Sequence, residues 1–277
     1  MRFSLVLGTI GRTSELERFL RSLERQTYRD FEVIVIDQNA DDRLAPILGR
    51  FAGRFPIQHL RAEPGLSHAR NVGLHRVRGD CVGFPDDDCW YPEDVLAKVA
   101  GLVAANAAWG GVTGRSVDEA GRESAAKFLP ESATLSLTTA WNAISYAIFL
   151  RRAVVEAVGG FDETLGVGAG TAFGSGEETD YIIRAIRSGY AIRYASDLVV
   201  HHPNPVRTFD AAAQRRGYSY GCGMGRVLAK HRYPAWYVAR SLARPCAGAA
   251  ISALTGQPAR ARYYVNVFSG RLRGLIG

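Results

Sequence analysis

The chain has 277 residues, 47% of them hydrophobic, enough for a large buried core and too apolar for a disordered protein. Four cysteines (Cys81, Cys89, Cys222, Cys246) without paired spacing exclude a disulfide framework and a cysteine-built zinc site, and read as reduced thiols. The net charge of +7 is unevenly placed: residues 201–277 hold twelve Lys/Arg against one acid (+11), leaving 22 against 26 (−4) in residues 1–200.

The first segment, Met1 to Gly8, has too short an apolar run for a signal peptide and reads as a strand ending at the loop Gly8-Thr9-Ile10-Gly11-Arg12. Thr13 or Ser14 is placed to cap the following helix, and Glu15 and Glu17 suit its dipole. Leu16, Phe19, Leu20 and Leu23 recur at helical spacing. Phe31 to Asp37 is then a nearly continuous apolar strand of the kind buried on both faces of a parallel sheet. Strand, helix and strand form a right-handed βαβ unit, whose ligands bind beyond the carboxyl ends of the strands. Those ends carry Thr9 and Arg12, then Asp37, Asn39, Asp41 and Asp42. No G-x-G-x-x-G follows the first strand, so a dinucleotide fingerprint is absent.

A helix is expected over about 43–54, a short strand over 57–61, and a helix from Ser67 to Gly79 that places Arg70 near the next loop. The run Cys81 to Phe84 reads as a short buried strand delivering Pro85-Asp86-Asp87-Asp88. Three adjacent carboxylates repel one another, so the cluster is either a solvated turn or a site for a hard divalent cation. Farther on, Trp141 to Leu150 reads as a strand and 151–158 as a helix. Gly166 to Gly176 holds five glycines, a flexible loop suited to closing over a ligand. It leads into Glu177-Glu178-Thr179-Asp180, which opens another helix. Strands at 190–194 and 198–200 end in His201-His202-Pro203.

Several of these stretches, in order, resemble the family-2 glycosyltransferases of the glycosyltransferase A fold: Phe31 to Asp37, Gly65 with Ala69 to Leu74, Phe84 to Asp88, Gly160 to Glu163, and Gly176 to Asp180. The resemblance covers residues 3 to about 205 and implies an α/β fold, a Rossmann-like mixed, mainly parallel sheet flanked by helices. It implies a catalytic domain over 1–205 that binds a nucleotide-diphosphate sugar, with Thr9, Arg12, Asp37, Asn39, Arg70, Asp86 and Asp87 on the donor. Asp86 and Asp88 would form the D-x-D pair that holds Mn2+ or Mg2+. His201 or His202 follows the last strand, where related enzymes often place a metal-binding histidine. His201 is the expected ligand, and a structural histidine beside Pro203 fits equally well. The usual family form at the base is Gly-Glu-Asp-x-Asp, so Glu178 takes the place of the catalytic aspartate, one methylene longer. Glu178 ranks first as base, with Asp180 and Glu177 behind it. The implied reaction is inverting attack by an acceptor hydroxyl, on a saccharide or a lipid-linked saccharide, in cell-surface polysaccharide or glycolipid synthesis.

Residues 206–277 read as a basic amphipathic helical extension, with Arg215, Arg216, Arg226, Lys230 and Arg232 among tyrosines and aliphatic residues. Attachment to an anionic membrane surface fits this pattern, and so does simple packing on the catalytic domain. The stretch 245–256 is well short of the ~20 residues that span a bilayer, so a cytoplasmic protein, peripheral on the inner face of the cell membrane where attached, is expected. A sugar-phosphate nucleotidyltransferase is an alternative, although Gly8 to Arg12 only faintly resembles its glycine-rich triphosphate loop. A non-catalytic carbohydrate-binding relative and a nucleic-acid-binding protein are others. Nucleic acid is not an expected partner, since the tail shows no recognised motif and the aspartates repel phosphate.

Overall fold

A computed structural model describes residues 1–124, 127–204 and 208–277. It divides into two units. The first comprises residues 1–64 and 68–161, with those described from 181 to 204; the second comprises 65–67 and 162–180, with those described from 208 onward. The expected boundary at 205–206 lies outside the described residues.

The first unit is built on β1 (Phe3–Thr9), α1 (Ser14–Glu24) and β2 (Phe31–Asp37). Leu16, Phe19, Leu20 and Leu23 of α1 are all fully buried, each contributing about 2 kcal/mol of apolar transfer energy. Every residue of β2 is buried, as its unbroken apolar run requires. Glu32, the exception in that run, accepts a 2.7 Å bond from the Ser4 hydroxyl and an ion pair from Arg2 at 3.4 Å. Thr13 is the cap residue of α1, but its side chain makes no capping bond, and the Ser14 hydroxyl turns to Glu15 instead.

α2 (Ala45–Phe51), β3 (Ile57–Arg61), α3 (Leu66–Leu74), β4 (Cys81–Gly83), α4 (Val95–Ala105), β5 (Trp109–Val117) and β6 (Ala133–Thr134) follow, then β7 (Ile148–Arg151), α5 (Arg152–Val158), α6 (Glu177–Arg187) and β8 (Ala191–His201). The eight strands form one sheet in the order β3-β2-β1-β4-β7-β5-β8-β6. Strands β1 to β4 are mutually parallel, β7 runs antiparallel to both neighbours, and β8 is parallel to β5. The chain works outward from β1 to β3 and returns to place β4 on the other side of β1. That reversal makes the carboxyl ends of β1 and β4 the switch point of the sheet, where such sheets bind ligands.

The strand expected over 141–150 is only β7, preceded by single 3-10 turns at Ala140–Asn142 and Ser145–Ala147. A short apolar run has the same composition whether it is a buried strand or a buried turn. The two strands expected at 190–194 and 198–200 are one, β8, whose pairing with β5 slips between Thr113 and Arg115. Gly114 sits at that slip, and a Cβ there would collide with the Leu198 carbonyl oxygen.

In the second unit, α7 (Ala211–Lys230), α8 (Ala235–Leu254) and α9 (Pro258–Ile276) make up the helical extension read from the sequence. Asp210 caps α7 by accepting from the Ala213 amide at 2.8 Å. α9 packs against both α7 and α8. The α7–α9 seam is made of glycine: a Cβ at Gly270 would strike the Tyr218 carbonyl, and one at Gly274 the Cys222 carbonyl. The loop of five glycines is tied to α7 rather than free, through Gly174 N–H to Ser219 O at 3.2 Å and Ser175 Oγ to Tyr220 O at 3.0 Å. Gly176 (φ +93°) lies against Val227 of α7 in a conformation that disfavours other residues, so the glycines serve close approach.

Candidate active site

β4 ends at Gly83, and Phe84 anchors the next turn by packing edge-on against Phe161, ring centroids 5.1 Å apart. The turn presents Asp86, Asp87 and Asp88 beyond the carboxyl end of β4, and each carboxylate has different partners. Asp86 receives the Arg70 guanidinium at 3.0 Å and the Ser145 hydroxyl at 3.1 Å. Arg70 is itself almost wholly buried and lies over the Phe161 ring, so it is fixed before it meets the carboxylate. Ser145 belongs to a 3-10 turn in the stretch expected to be strand, and that turn is what aims its hydroxyl at Asp86.

Asp87 is buried, accepting from the Thr9 hydroxyl and from Arg12, both at 2.6 Å. Asp88 pairs with Arg12 at 2.6 Å and with His202 Nε2 at 3.2 Å. His202 stacks on Tyr146 at 4.7 Å, and its Nδ1 donates to the Pro203 carbonyl at 2.8 Å. With both ring nitrogens facing acceptors, the doubly protonated ring satisfies both.

These surroundings separate the three carboxyls. Burial pushes Asp86 above the usual carboxylate range, against the charge of Arg70, and pushes Asp87 up against Thr9 and Arg12. Burial also opposes ionisation of Asp88, but the bond and charge of His202, with Arg12, outweigh it and hold that carboxyl low. The His202 pKa is raised: its own burial works against it, and Asp88 and Asp86 overcome that.

His202, not His201, faces the aspartates. His201 ends β8, exchanges both backbone bonds with Trp90 at 3.0 Å and stacks on the Trp90 indole at 5.2 Å, with Arg18 over the same indole at 4.1 Å. That corrects the expected position of the histidine by one residue. Thr9 and Arg12, expected on the donor, are both bound to Asp87. Asp37 is fully buried, accepting from Asn39 N–H at 2.9 Å and meeting His59 Nε2 at 2.9 Å, with Arg61 at 3.5 Å. Asn39 reaches back to it through Nδ2 at 2.7 Å.

Among the described residues, no three His, Cys, Asp or Glu side chains form a ready cage for a metal ion. Asp86 and Asp88 keep 27% and 16% of their side-chain surface exposed. Two carboxylates are the hard oxygen donors that a divalent cation takes, and in this structure both are occupied by Arg70, Arg12 and His202.

In the second unit, Glu177, Glu178 and Asp180 occupy the first turn of α6. Asp180 is completely buried, with His231 Nε2 and Lys230 Nζ each at 2.7 Å. Lys230 also bonds Asp162 at 2.7 Å. Burial raises the Asp162 pKa, but the hydrogen bonds from Lys230 and Thr164 outweigh it and leave the carboxyl low. Glu177 is buried as well, and Glu178 alone of the three is partly exposed, with its Oε2 buried. Sequence reasoning missed Ser145, Lys230 and His231 as members of these clusters, and named His202 only as the alternative to His201. The last two sit at the end of α7, where basic residues look like ordinary complements of the helix dipole.

The chain resembles known proteins in both sequence and fold. A model of the family described as Glycosyl transferase family 2 matches residues 4–159, more than half of the chain. An uncharacterized glycosyltransferase of Haemophilus influenzae is 34% identical over 93 residues, 32% of this chain and 31% of that protein. A PGL/p-HBAD biosynthesis glycosyltransferase of Mycobacterium bovis is 32% identical over 105 residues, 36% of this chain and 41% of its own length. The match thus spans well under half of either relative. Among solved structures, the mannosyltransferase PcManGT from Pyrobaculum calidifontis, in complex with GDP-Man and Mn2+, aligns with a TM-score of 0.69 at 18% identity, covering 99% of this chain and 87% of that one. S. aureus TarS (residues 1–349) gives 0.64 at 18% identity, covering 98% and 90%. At that identity the two structures show the fold, which is the expected glycosyltransferase A type. With the family model covering most of the sheet and the turn that carries the three aspartates, the chain belongs to glycosyl transferase family 2.

Proposed function

We propose that the protein transfers a sugar from a nucleotide-diphosphate sugar to an acceptor hydroxyl by inverting displacement, with Mn2+ or Mg2+ at Asp86 and Asp88. The observation that carries this reading is the arrangement of the aspartates: two partly exposed carboxylates, oriented by Arg70, Ser145, Arg12 and His202, at the switch point of the sheet. The Mn2+ and GDP-Man held by PcManGT, and the UDP-GlcNAc held by TarS, are in keeping with such a donor site.

When bound, the cation supplies positive charge to the leaving diphosphate. Arg70 and Ser145 hold Asp86 in place, and His202 and Arg12 keep Asp88 ionised. His202 Nε2 becomes a further donor once its proton leaves, and imidazole favours Mn2+ over Mg2+. Asp87 locks Thr9 and Arg12 together and serves as the brace of the turn. Glu178 accepts the proton of the acceptor hydroxyl, because Glu177 is buried and Asp180 is held by His231 and Lys230. The acceptor is a saccharide or a lipid-linked saccharide of cell-surface synthesis.

Thermal unfolding in the presence of GDP-mannose, UDP-N-acetylglucosamine and other donors, with and without Mn2+, tests the site. A donor that binds at a hundred times its Kd raises stability by about 2.7 kcal/mol. The reading predicts metal-dependent stabilisation by one donor and its loss in Asp88→Asn. Equal stabilisation of that variant would refute the metal assignment.

A further inference from the structure

We infer that the outer face of α8 is a docking surface for an anionic lipid surface. This helix is turned inside out relative to an ordinary amphipathic helix. Its buried positions are Ser241, Pro245 and Ser252, with Gly248 against the Tyr264 ring. On the opposite side, Trp236, Ala239, Ala243, Ala247, Ala250 and Leu254 recur every three or four residues, and all six are exposed. Trp236 is 59% exposed, Leu254 88%, and the adjacent Ile251 62%.

The inward seam is polar by construction. Pro245 has no N–H to give the Ser241 carbonyl, and Arg271 of α9 donates to that oxygen instead. Small residues inside and bulky apolar ones outside are how helices pack where lipid, not water, lies beyond them. α9 repeats the pattern, with Gly270 and Gly274 buried while Val265 and Ile276 are 51% and 80% exposed.

Charge selects the occupant. Residues 211–277 contain eleven Lys/Arg and no acid. Arg240 and Arg244 flank the α8 stripe and are exposed. A second copy of this face would bring like charges together, whereas an anionic bilayer surface attracts each arginine by about 1 kcal/mol, roughly fivefold in affinity. No described helix is long and apolar enough to cross a membrane. An apolar stripe bordered by arginines with a tryptophan at one end suits a helix lying in the interface plane.

The test uses the whole protein labelled at Cys246, which is exposed on α8 while Cys81, Cys89 and Cys222 are buried. A polarity-sensitive thiol dye is read with vesicles of phosphatidylcholine alone or with about 30 mol% phosphatidylglycerol, alongside co-sedimentation. A blue shift and sedimentation with the anionic vesicles at low salt are expected. Ile251→Glu/Leu254→Glu weakens binding at least about tenfold, since both apolar anchors are lost. Arg240→Ala/Arg244→Ala weakens it about 25-fold at low salt, with unchanged circular dichroism in both variants. The inference falls if the wild type ignores anionic vesicles or if the double variants bind as well as it does. It also falls if light scattering shows a dimer that Ile251→Glu/Leu254→Glu dissolves while vesicles leave the dye unshifted, or if duplex RNA shifts the dye and vesicles do not.

Discussion

Two acidic trios carry the chemistry proposed for this protein, and their likeness is instructive. Asp86, Asp87 and Asp88 follow β4 in the first unit; Glu177, Glu178 and Asp180 open α6 in the second. In each, one acid is sealed by basic or hydroxyl partners: Asp87 by Thr9 and Arg12, Asp180 by His231 and Lys230. In each, the acids proposed to react are only partly exposed, Asp86 and Asp88 in one and Glu178, whose Oε2 is buried, in the other. The difference lies in the partners. The first trio is braced by side chains from helix α3, a 3-10 turn and the loops after β1 and β8, the second from the far end of a tail helix.

Four measurements break or sharpen that contrast, beginning with the largest effect. Glu178→Gln should lower kcat by about 10²–10⁴ with little change in thermal stability, because the proposed general base is lost while the shape of the side chain is kept. If turnover survives while Asp180→Asn abolishes it at unchanged stability, the accessible and sealed acids have been assigned the wrong way round. Asp180→Ala should instead cost about 3–5 kcal/mol in denaturant unfolding, since it leaves His231 and Lys230 facing a buried gap. A loss below about 1 kcal/mol would show that the pair is not structural. Asp87→Ala should cost about 1–3 kcal/mol by stranding the Thr9 hydroxyl and one Arg12 contact, and should weaken donor binding only through the displaced turn. Loss of metal-dependent donor stabilisation with unfolding unaltered would make Asp87 a ligand rather than a brace. The smallest effect is in pH. Asp162 is depressed in the folded state, so its stabilisation is complete above the unfolded carboxyl value near 4 and disappears as pH falls through its lower folded value. The stability gap between wild type and Asp162→Asn should therefore close on acidification below about pH 4, and a gap that widens there would contradict the Lys230 pairing.

The chain's own pattern was enough for β1, α1 and β2, because a helix that repeats apolar residues at three and four and a strand apolar throughout have few other ways to be buried. It was enough, too, for locating both acidic trios at element ends, and for the helical character of the tail. It did not settle which acid of a trio is accessible. Adjacent side chains on a strand or turn point to different sides, and the side that becomes a site depends on what the sheet places opposite. His201 and His202 illustrate this: one step along the chain exchanges the Trp90 stack for Asp88. Ser145 was hidden because an apolar run that folds as a turn looks like strand until its neighbours are known. His231 stands 51 residues from Asp180, and no local preference links them. Only tertiary packing, which brings the end of α7 to the start of α6, encloses Asp180 between His231 and Lys230.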